Sequence, residues 1–228
     1  MNGAGVPGRA GPVWSRRVGW FLGHVVWNTR VVGAEHVPAS GPVVIAANHV
    51  SIIDGPLVHG VLPRGTHILV KQEMFHGPVG GILRAAGQIP VDRNSGRRAL
   101  EAALGVLRRG GAVGIFPEGN RGRGDVSGVR AGVAWLAVHG AAPVVPAAVL
   151  GTRRTGEPLG HVPGLRRRLV VELGPPIQVA LPPDEPRRQA VGRTAEVVAE
   201  ALSAHVRQAA ARHGLPLPLD DPRALPGS

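Results

Sequence analysis

A histidine and an aspartate, His49 and Asp54, are the side chains of this chain with the clearest chemical use, and they lie five positions apart in the segment NHVSIID. A histidine hydrogen-bonded to a carboxylate is held in one tautomer and can take a proton from an alcohol. About sixty residues later, the segment FPEGNR contains Arg121, a permanent cation that suits an anionic substrate. Together the two segments indicate acyl transfer to an alcohol that bears a phosphate.

The elements around His49 must bend the chain for this chemistry to occur. On one continuous helix, a spacing of five would separate the two side chains by about 140°, so residues 50–53 must turn. Val43–Ala47 reads as a buried strand, which places His49 in a loop at the carboxyl edge of a sheet. Asp54 precedes Gly55 and Pro56, so it could equally be a helix N-cap. The two roles of Asp54 are compatible.

Four segments in this order resemble those of the glycerophospholipid acyltransferases, most closely the bacterial 1-acylglycerol-3-phosphate (lysophosphatidic acid) acyltransferases. They are NHVSIID (Asn48–Asp54), GQIPVDR (Gly87–Arg93), FPEGNR (Phe116–Arg121) and VVPAAV (Val144–Val149). The HxxxxD spacing alone is common by chance, whereas the ordered set is specific. The resemblance covers roughly residues 35–180. Asn120 stands where the family usually has Thr, and Gly122 where it usually has Ser. The identity of the acceptor therefore stays open.

The resemblance implies a direct reaction, without a serine nucleophile, metal or bound cofactor. His49 would remove the proton of the free hydroxyl of 1-acylglycerol 3-phosphate, which then attacks the thioester of acyl-CoA or acyl carrier protein. The remaining site residues are expected to bind the acceptor phosphate (Arg121, Lys71, Arg93), to position the acceptor or brace its loop (Glu118, Gly119, Asn120) and to support the dyad by hydrogen bonds (Asn48, Ser51). Backbone N–H groups around Gly119 are candidate donors to the oxyanion.

Two alternatives remain. The first is the same chemistry on another acceptor, namely glycerol 3-phosphate, another lysophospholipid or an amino-acid lipid. The second is a basic protein that binds membranes or a carrier without catalysis. Intact His49 and Asp54 favour an enzyme over this second alternative.

The amino-acid composition limits the kinds of site and the classes of binding partner that the protein can have. The chain has 228 residues, a length typical of one domain, and its lack of cysteine excludes a disulfide framework, a thiolate metal site and a cysteine acyl-enzyme. The formal charge is +11, almost all from arginine, since Lys71 is the only lysine. Such a charge attracts anionic membranes or nucleic acid. We predict no nucleic-acid partner, because the chain has no Tyr, three Phe and four Trp for base stacking.

The N-terminal region predicts a membrane contact. Apolar residues recur at helical spacing over residues 13–28, and no stretch reaches the roughly 18 apolar residues that span a bilayer. This amphipathic helix could cover the core, or it could lie in a membrane interface through Trp14, Trp20, Trp27, Arg9, Arg16 and Arg17. The interpretations can hold for opposite faces. We expect a peripheral protein on the cytoplasmic face of the cell membrane.

Short apolar runs alternate with helical segments over the rest of the chain, which predicts an α/β sandwich of helices around a largely parallel central sheet. Strands are expected at residues 43–47, 68–70, 88–91, 112–116, 144–150 and 169–173, and helices at 55–61, 79–85, 95–109, 129–139 and 187–213. We expect a mobile N-terminus and interfacial helix (1–33), an acyltransferase domain (34–213) and a disordered Pro-rich tail (214–228). The Val144–Val149 segment should serve packing, and Arg153 and Arg154 should be solvated.

Overall fold

The computed structural model describes residues 5–92, 96–126, 130–182 and 184–221. The helices are α1 (Ala10–Phe21), α2 (Asp54–Val61), α3 (Gly77–Ala85), α4 (Gly96–Arg108), α5 (Gly132–Gly140) and α6 (Arg187–His213). The strands are β1 (Asn28–Val32), β2 (Val43–Ala47), β3 (Thr66–Lys71), β4 (Ile89–Val91), β5 (Ala112–Ile115), β6 (Val144–Leu150) and β7 (Arg168–Leu173). A π-helical turn (Leu22–Val26) continues α1, and short 3₁₀ turns cover Ala34–His36 and Gln72–Phe75.

The strands form one seven-stranded sheet in the order β1-β7-β6-β2-β5-β3-β4. Every pairing is parallel except that of β6 with β7. The predicted α/β architecture with a largely parallel sheet is therefore confirmed. Strand β1 was not predicted, because its sequence, NTRVV, carries polar residues and alternates between exposed and buried positions at the edge of the sheet.

The sheet separates two apolar layers. In β2, which is buried throughout, Val44 and Ala46 face the layer of α4, α5 and α6, whereas Val43, Ile45 and Ala47 face the layer that contains α2. A strand covered on both faces reads as an unbroken apolar run, since successive side chains point to opposite sides. The VVPAAV segment belongs to β6, which is buried over its whole length, so its packing role is as expected.

Helix α1 packs through small residues rather than large ones. Its buried side is formed by Gly11, Pro12, Ser15 and Gly19, and it lies so close to α2 that a Cβ atom on Gly60 would be 2.1 Å from the carbonyl carbon of Gly19. The large apolar side chains of α1 consequently point outward, as does Val25 in the turn after it, whereas Leu22 and Val26 of that turn pack against the core. The exposed large apolar residues of α1 are Val13, Trp14, Val18, Trp20 and Phe21.

Trp27 is an exception to the predicted interfacial set. It is only 4% exposed, and its indole N–H donates to the carbonyl of Pro163. The chain leaves the π-helical turn at Trp27 to begin β1 and turns the indole into the core. Within the described ranges, no helix combines the length and apolarity needed to cross a bilayer.

Both chain ends lie against the domain over their described parts. Near the N-terminus, Val6 packs on the core. Residues 215–221, expected in a disordered tail, follow α6 back across the domain, because Leu215 and Leu217 pack against the core and Asp220 pairs with Arg153. Residues 1–4 and 222–228 lie outside the described part of the chain, as does residue 95, the first residue of the helix predicted at 95–109.

Candidate active site at the carboxyl edge of the sheet

Four neighbouring strands end at one edge of the sheet and deliver the candidate residues there. Strands β6, β2, β5 and β3 run parallel to one another. Their carboxyl ends lead into Arg153, His49, the FPEGNR loop and Lys71 respectively. Residues from distant parts of the sequence therefore meet at the place where α/β proteins commonly bind ligands.

His49 and Asp54 form a hydrogen-bonded pair. His49 Nδ1 lies 2.9 Å from Asp54 Oδ2, and the same oxygen accepts the backbone N–H groups of Val50 at 2.7 Å and Ser51 at 2.8 Å. The Asp54 side chain is fully buried, whereas 17% of the His49 side chain remains exposed. Because an ionised carboxylate only accepts hydrogen bonds, Nδ1 carries the hydrogen and Nε2 keeps its lone pair. The pair therefore has the orientation of a general base and its positioning carboxylate.

Asp54 does not cap its helix. The N-cap position is occupied by Ile53, and Asp54 is the first residue of α2. Its carboxylate reaches back to the turn formed by residues 50–53 and binds two N–H groups there. The required bend between His49 and Asp54 is thus made by the turn that the carboxylate itself stabilises.

The FPEGNR loop holds His49 from three directions. The ring of Phe116 stacks on the imidazole with 4.2 Å between centroids. Glu118 Oε1 accepts the His49 backbone N–H at 2.9 Å, and the N–H of Gly122 donates to the His49 carbonyl at 3.0 Å. Of the two roles expected for Glu118, this contact corresponds to bracing the loop.

Two of the three expected phosphate ligands, Lys71 and Arg121, lie at the same edge of the sheet. Lys71 Nζ donates to Asn120 Oδ1 at 2.6 Å, which places the lysine head beside the residue that precedes Arg121. Arg121 Nη1 donates to the carbonyl of Leu159 at 3.2 Å. Arg93 lies outside the described residues.

Asn48 and Ser51 have backbone partners. The Asn48 amide exchanges two hydrogen bonds with the backbone of Val149, at 2.7 and 3.1 Å, and so fastens the end of β2 to β6. Ser51 Oγ donates to the carbonyl of His161 at 3.3 Å. Both contacts are those of supporting groups.

Gly119 makes a contact that corresponds to bracing the loop, one of the two roles expected for it. Its φ of +70° is one that glycine adopts without strain, and its N–H donates to the carbonyl of Phe116 at 3.0 Å. The Gly119 N–H therefore closes the turn of the loop, and donation to the oxyanion by the N–H groups around it stays a prediction.

The connection between β6 and β7, residues 151–167, folds over the site and supplies the carbonyls that bind Arg121 and Ser51. It is fastened by a pair between Glu157 and Arg167, with 2.6 Å between Oε1 and Nη1. The hydrogen bond from Arg167 is the main reason why the pKa of Glu157 lies below its ordinary value. The pair closes the segment on itself, and the hydrogen bonds from Arg121 and Ser51 tie it to the rest of the domain.

Arg153 was expected on a solvated face, but it is 1% exposed. Its guanidinium donates to the carbonyls of Val50, at 3.1 Å, and Gly122, at 3.0 Å, one from each loop that holds His49. Arginine is abundant in this chain and is usually exposed in proteins, so residue type alone predicted a solvated Arg153. Its position directly after a strand parallel to β2 was the signal that could have identified it.

The arrangement can perform base-assisted transfer. It presents an imidazole with a fixed tautomer, a buried carboxylate that would stabilise the charged ring, and two cationic side chains at the same edge, Lys71 and Arg121. Over the residues that the structure describes, no group of three or more His, Asp or Glu side chains converges as a metal site would.

The sequence of the chain matches a known protein family and several of its members. Residues 28–150 match the model of the Acyltransferase family. The chain is 37% identical over 125 residues to the 1-acyl-sn-glycerol-3-phosphate acyltransferase of Bacillus subtilis, which is 54% of this chain and 62% of that protein. It is 32% identical over 139 residues to the human 1-acyl-sn-glycerol-3-phosphate acyltransferase beta, covering 57% and 50%. The chain therefore spans about half to three fifths of these relatives.

A solved structure has the same fold. The crystal structure of the 1-acyl-sn-glycerophosphate (LPA) acyltransferase PlsC from Thermotoga maritima superposes with a TM-score of 0.62 at 22% identity, over 86% of this chain and 78% of that one. The family match includes both loops that hold His49 and covers more than half of the sequence. The chain is thus a member of the acyltransferase family.

Proposed function

We propose that the protein transfers a fatty acyl group from acyl-CoA or acyl carrier protein to the free hydroxyl of 1-acylglycerol 3-phosphate, giving phosphatidic acid. The observation that carries this proposal is the His49–Asp54 pair, buried on its carboxylate side and held by the FPEGNR loop. The named activities of the Bacillus and human relatives support the same substrate class.

The mechanism uses His49 as a general base. Nε2 takes the proton of the acceptor hydroxyl as its oxygen bonds to the thioester carbonyl carbon. Asp54 stabilises the resulting imidazolium through Nδ1. When the tetrahedral intermediate collapses, the carbon–sulfur bond breaks and the imidazolium returns its proton to the departing thiolate. The scheme requires no metal and no cofactor beyond the thioester co-substrate.

Recognition of the acceptor phosphate is assigned to Arg121 and Lys71, with Arg93 as a further ligand. Two cations near a phosphate provide charge-assisted hydrogen bonds, and Arg can bind it in a bidentate manner. Asn120 and Gly122 depart from the family pattern, and Asn120 binds Lys71 directly. The departure at Asn120 therefore affects a residue that contacts a proposed phosphate ligand. For this reason glycerol 3-phosphate, other lysophospholipids and amino-acid lipids stay as alternative acceptors.

The membrane surface is the proposed partner of α1. Its large apolar side chains are exposed, with Val18 at 51% and Phe21 at 51%, while its small residues are buried. Arg16, Arg17 and Trp20 line a shallow pocket on the same helix. Apolar side chains with adjacent arginines suit peripheral binding to an anionic bilayer. We place this binding on the cytoplasmic face, where thioester donors are made.

The test is an acyl-transfer assay of the purified chain with labelled acyl-CoA and acyl carrier protein donors. The acceptors are 1-acylglycerol 3-phosphate, glycerol 3-phosphate, other lysophospholipids, an amino-acid lipid and monoacylglycerol. Fastest turnover with 1-acylglycerol 3-phosphate, lost in His49→Ala, is the expected result. A faster rate with another acceptor would replace the substrate. No turnover with any pair would favour the non-catalytic binding protein.

A further inference from the structure

The buried Arg153 connects three segments of the chain. Its Nε donates to the Val50 carbonyl, and Nη2 donates to the Gly122 carbonyl. Nη1 donates to the Glu157 carbonyl at 3.1 Å and to Asp220 Oδ1 at 3.0 Å, while Nη2 also reaches the Asp220 carbonyl at 2.9 Å. A guanidinium has five N–H groups, and each has an acceptor here.

Asp220 supplies the counter-charge of the buried Arg153. The Arg153 side chain is 0% exposed and that of Asp220 is 29% exposed. A buried cation without a counterion is strongly destabilising, and loss of one partner leaves the other charge uncompensated. Arg153 can therefore hold both loops only while residue 220 is in place.

The segment after α6 is routed to reach this position. Gly214 ends the helix with a φ of +59°, and Leu215 and Leu217 then pack on the core. The Leu219 N–H donates to Thr155 Oγ1 at 3.1 Å, which sets the backbone just before Asp220. These contacts bring a carboxylate from the end of the chain to the edge that carries His49.

We infer that Arg153 and Asp220 together form a positioning clasp for the active site. Arg153 binds the residue after His49, and it binds Gly122, whose N–H in turn holds the His49 carbonyl. The two loops also pack tightly, since a Cβ atom on Gly124 would lie 2.4 Å from Val50 Cγ1. The clasp fixes the distance between the general base and the loop that binds the acceptor.

The inference rests on the proposed function for its effect on catalysis but not for its effect on structure. Asp220→Ala is compared with Glu101→Ala, a matched loss of a carboxylate that pairs with Arg97 on the exposed face of α4. The expected result for Asp220→Ala is a fall in kcat of about tenfold with donor and acceptor KM within about twofold, because small displacements of a general base slow the reaction strongly. Asp220→Asn keeps an acceptor oxygen and should have an intermediate kcat.

Hydrogen–deuterium exchange of the full-length chain provides the second measurement. In Asp220→Ala, amides of residues 48–54 and 119–126 should exchange at least about tenfold faster, with α4 unchanged. In Glu101→Ala both loops should keep the wild-type rate. Wild-type exchange in both loops, or equal acceleration throughout the chain, would overturn the clasp. Faster loop exchange with an unchanged kcat would overturn its role in catalysis. If the wild-type chain has no turnover, the proposed function fails while exchange still decides the clasp.

Discussion

The edge of the sheet that carries His49 and the outer surface of α1 differ in which kinds of side chain they bury and expose. At the edge, charged and polar groups such as Asp54 and Arg153 are buried, and their hydrogen-bond partners come from several loops. On α1, large apolar groups such as Val18 and Phe21 are exposed, while glycines are buried. A fixed network of polar groups can hold catalytic side chains in position, whereas an exposed apolar face can bind a deformable apolar partner such as a lipid bilayer. Changes in one region should therefore leave the other working.

The contrast has a separate physical cause in each region. Helix α1 approaches α2 at Gly19 and Gly60, where larger side chains have no room. At the sheet edge, loops from several strands meet, and the polar side chain of Arg153 is buried between them because they supply its hydrogen-bond acceptors. Packing distance decides what is buried under α1, and hydrogen-bond partners allow polar groups to be buried at the sheet edge.

The largest effect should follow loss of the general base. His49→Ala should lower kcat by roughly 100-fold or more, since that is the usual contribution of a positioned base. Asp54→Asn should also lose activity, because an amide cannot stabilise the charged imidazole. Both variants should float with anionic vesicles as well as the wild type does. Near-normal turnover in folded His49→Ala protein would contradict the role of His49 as the general base.

The next effect concerns the acceptor. Arg121→Ala should raise the acceptor KM by about tenfold or more and leave the donor KM nearly unchanged, because charge-assisted bonds to a sheltered phosphate are strong. Arg97→Ala is the control, since Arg97 is an exposed arginine on α4. Monoacylglycerol should be a poor acceptor for the wild type. Equal use of monoacylglycerol and its phosphate would remove Arg121 from the site.

A smaller effect is expected when the apolar face of α1 is charged. Val18→Asp should weaken binding to anionic vesicles by about fivefold, since it removes apolar contact and adds repulsion. Val197→Asp is the matched change on α6, where Val197 is 45% exposed. Turnover of a short-chain, monomeric acceptor should stay within about twofold of wild type in both. Equal vesicle binding by the two variants would place the membrane contact elsewhere. Point changes are preferable to removal of residues 1–32, which would delete β1.

The smallest effect tests how α1 is fastened. His59 of α2 is bound by Ser15 of α1 and by the Thr66 carbonyl. Burial is the main cause that lowers the pKa of His59 from 6.5 to about 4, and the positive charges of Arg16 and His67 act in the same direction. Below pH 6.5 the unfolded chain gains a proton that the folded chain does not, so stability falls as the pH falls.

This linkage should cost about 1 kcal/mol of unfolding free energy between pH 7 and pH 5.5. Denaturant unfolding at the two pH values measures it, with His59→Gln as the comparison. The variant should show a smaller loss. Burial also lowers the pKa of His67, so part of the loss should remain. An identical pH dependence in both proteins would contradict the assignment.

Local patterns predicted the regular elements closely. The predicted ranges of β2, β6 and α6 agree with the observed Val43–Ala47, Val144–Leu150 and Arg187–His213. Buried strands and long amphipathic helices carry their periodicity in neighbouring residues. Strand β1 and the packed segment 215–221 were not predicted, because both are fixed by contacts with distant residues.

The sequence alone determined the chemistry that is available, because His49, Asp54 and the FPEGNR segment are recognisable by residue type and spacing. Only the tertiary structure decided which arginine is buried, which tryptophan leaves the surface and which face of α1 points outward. An arginine has the same type and flanking pattern whether it is solvated or enclosed. Its environment at position 153 is made by Val50, Gly122 and Asp220, which are far from it along the chain and meet only when the sheet has formed.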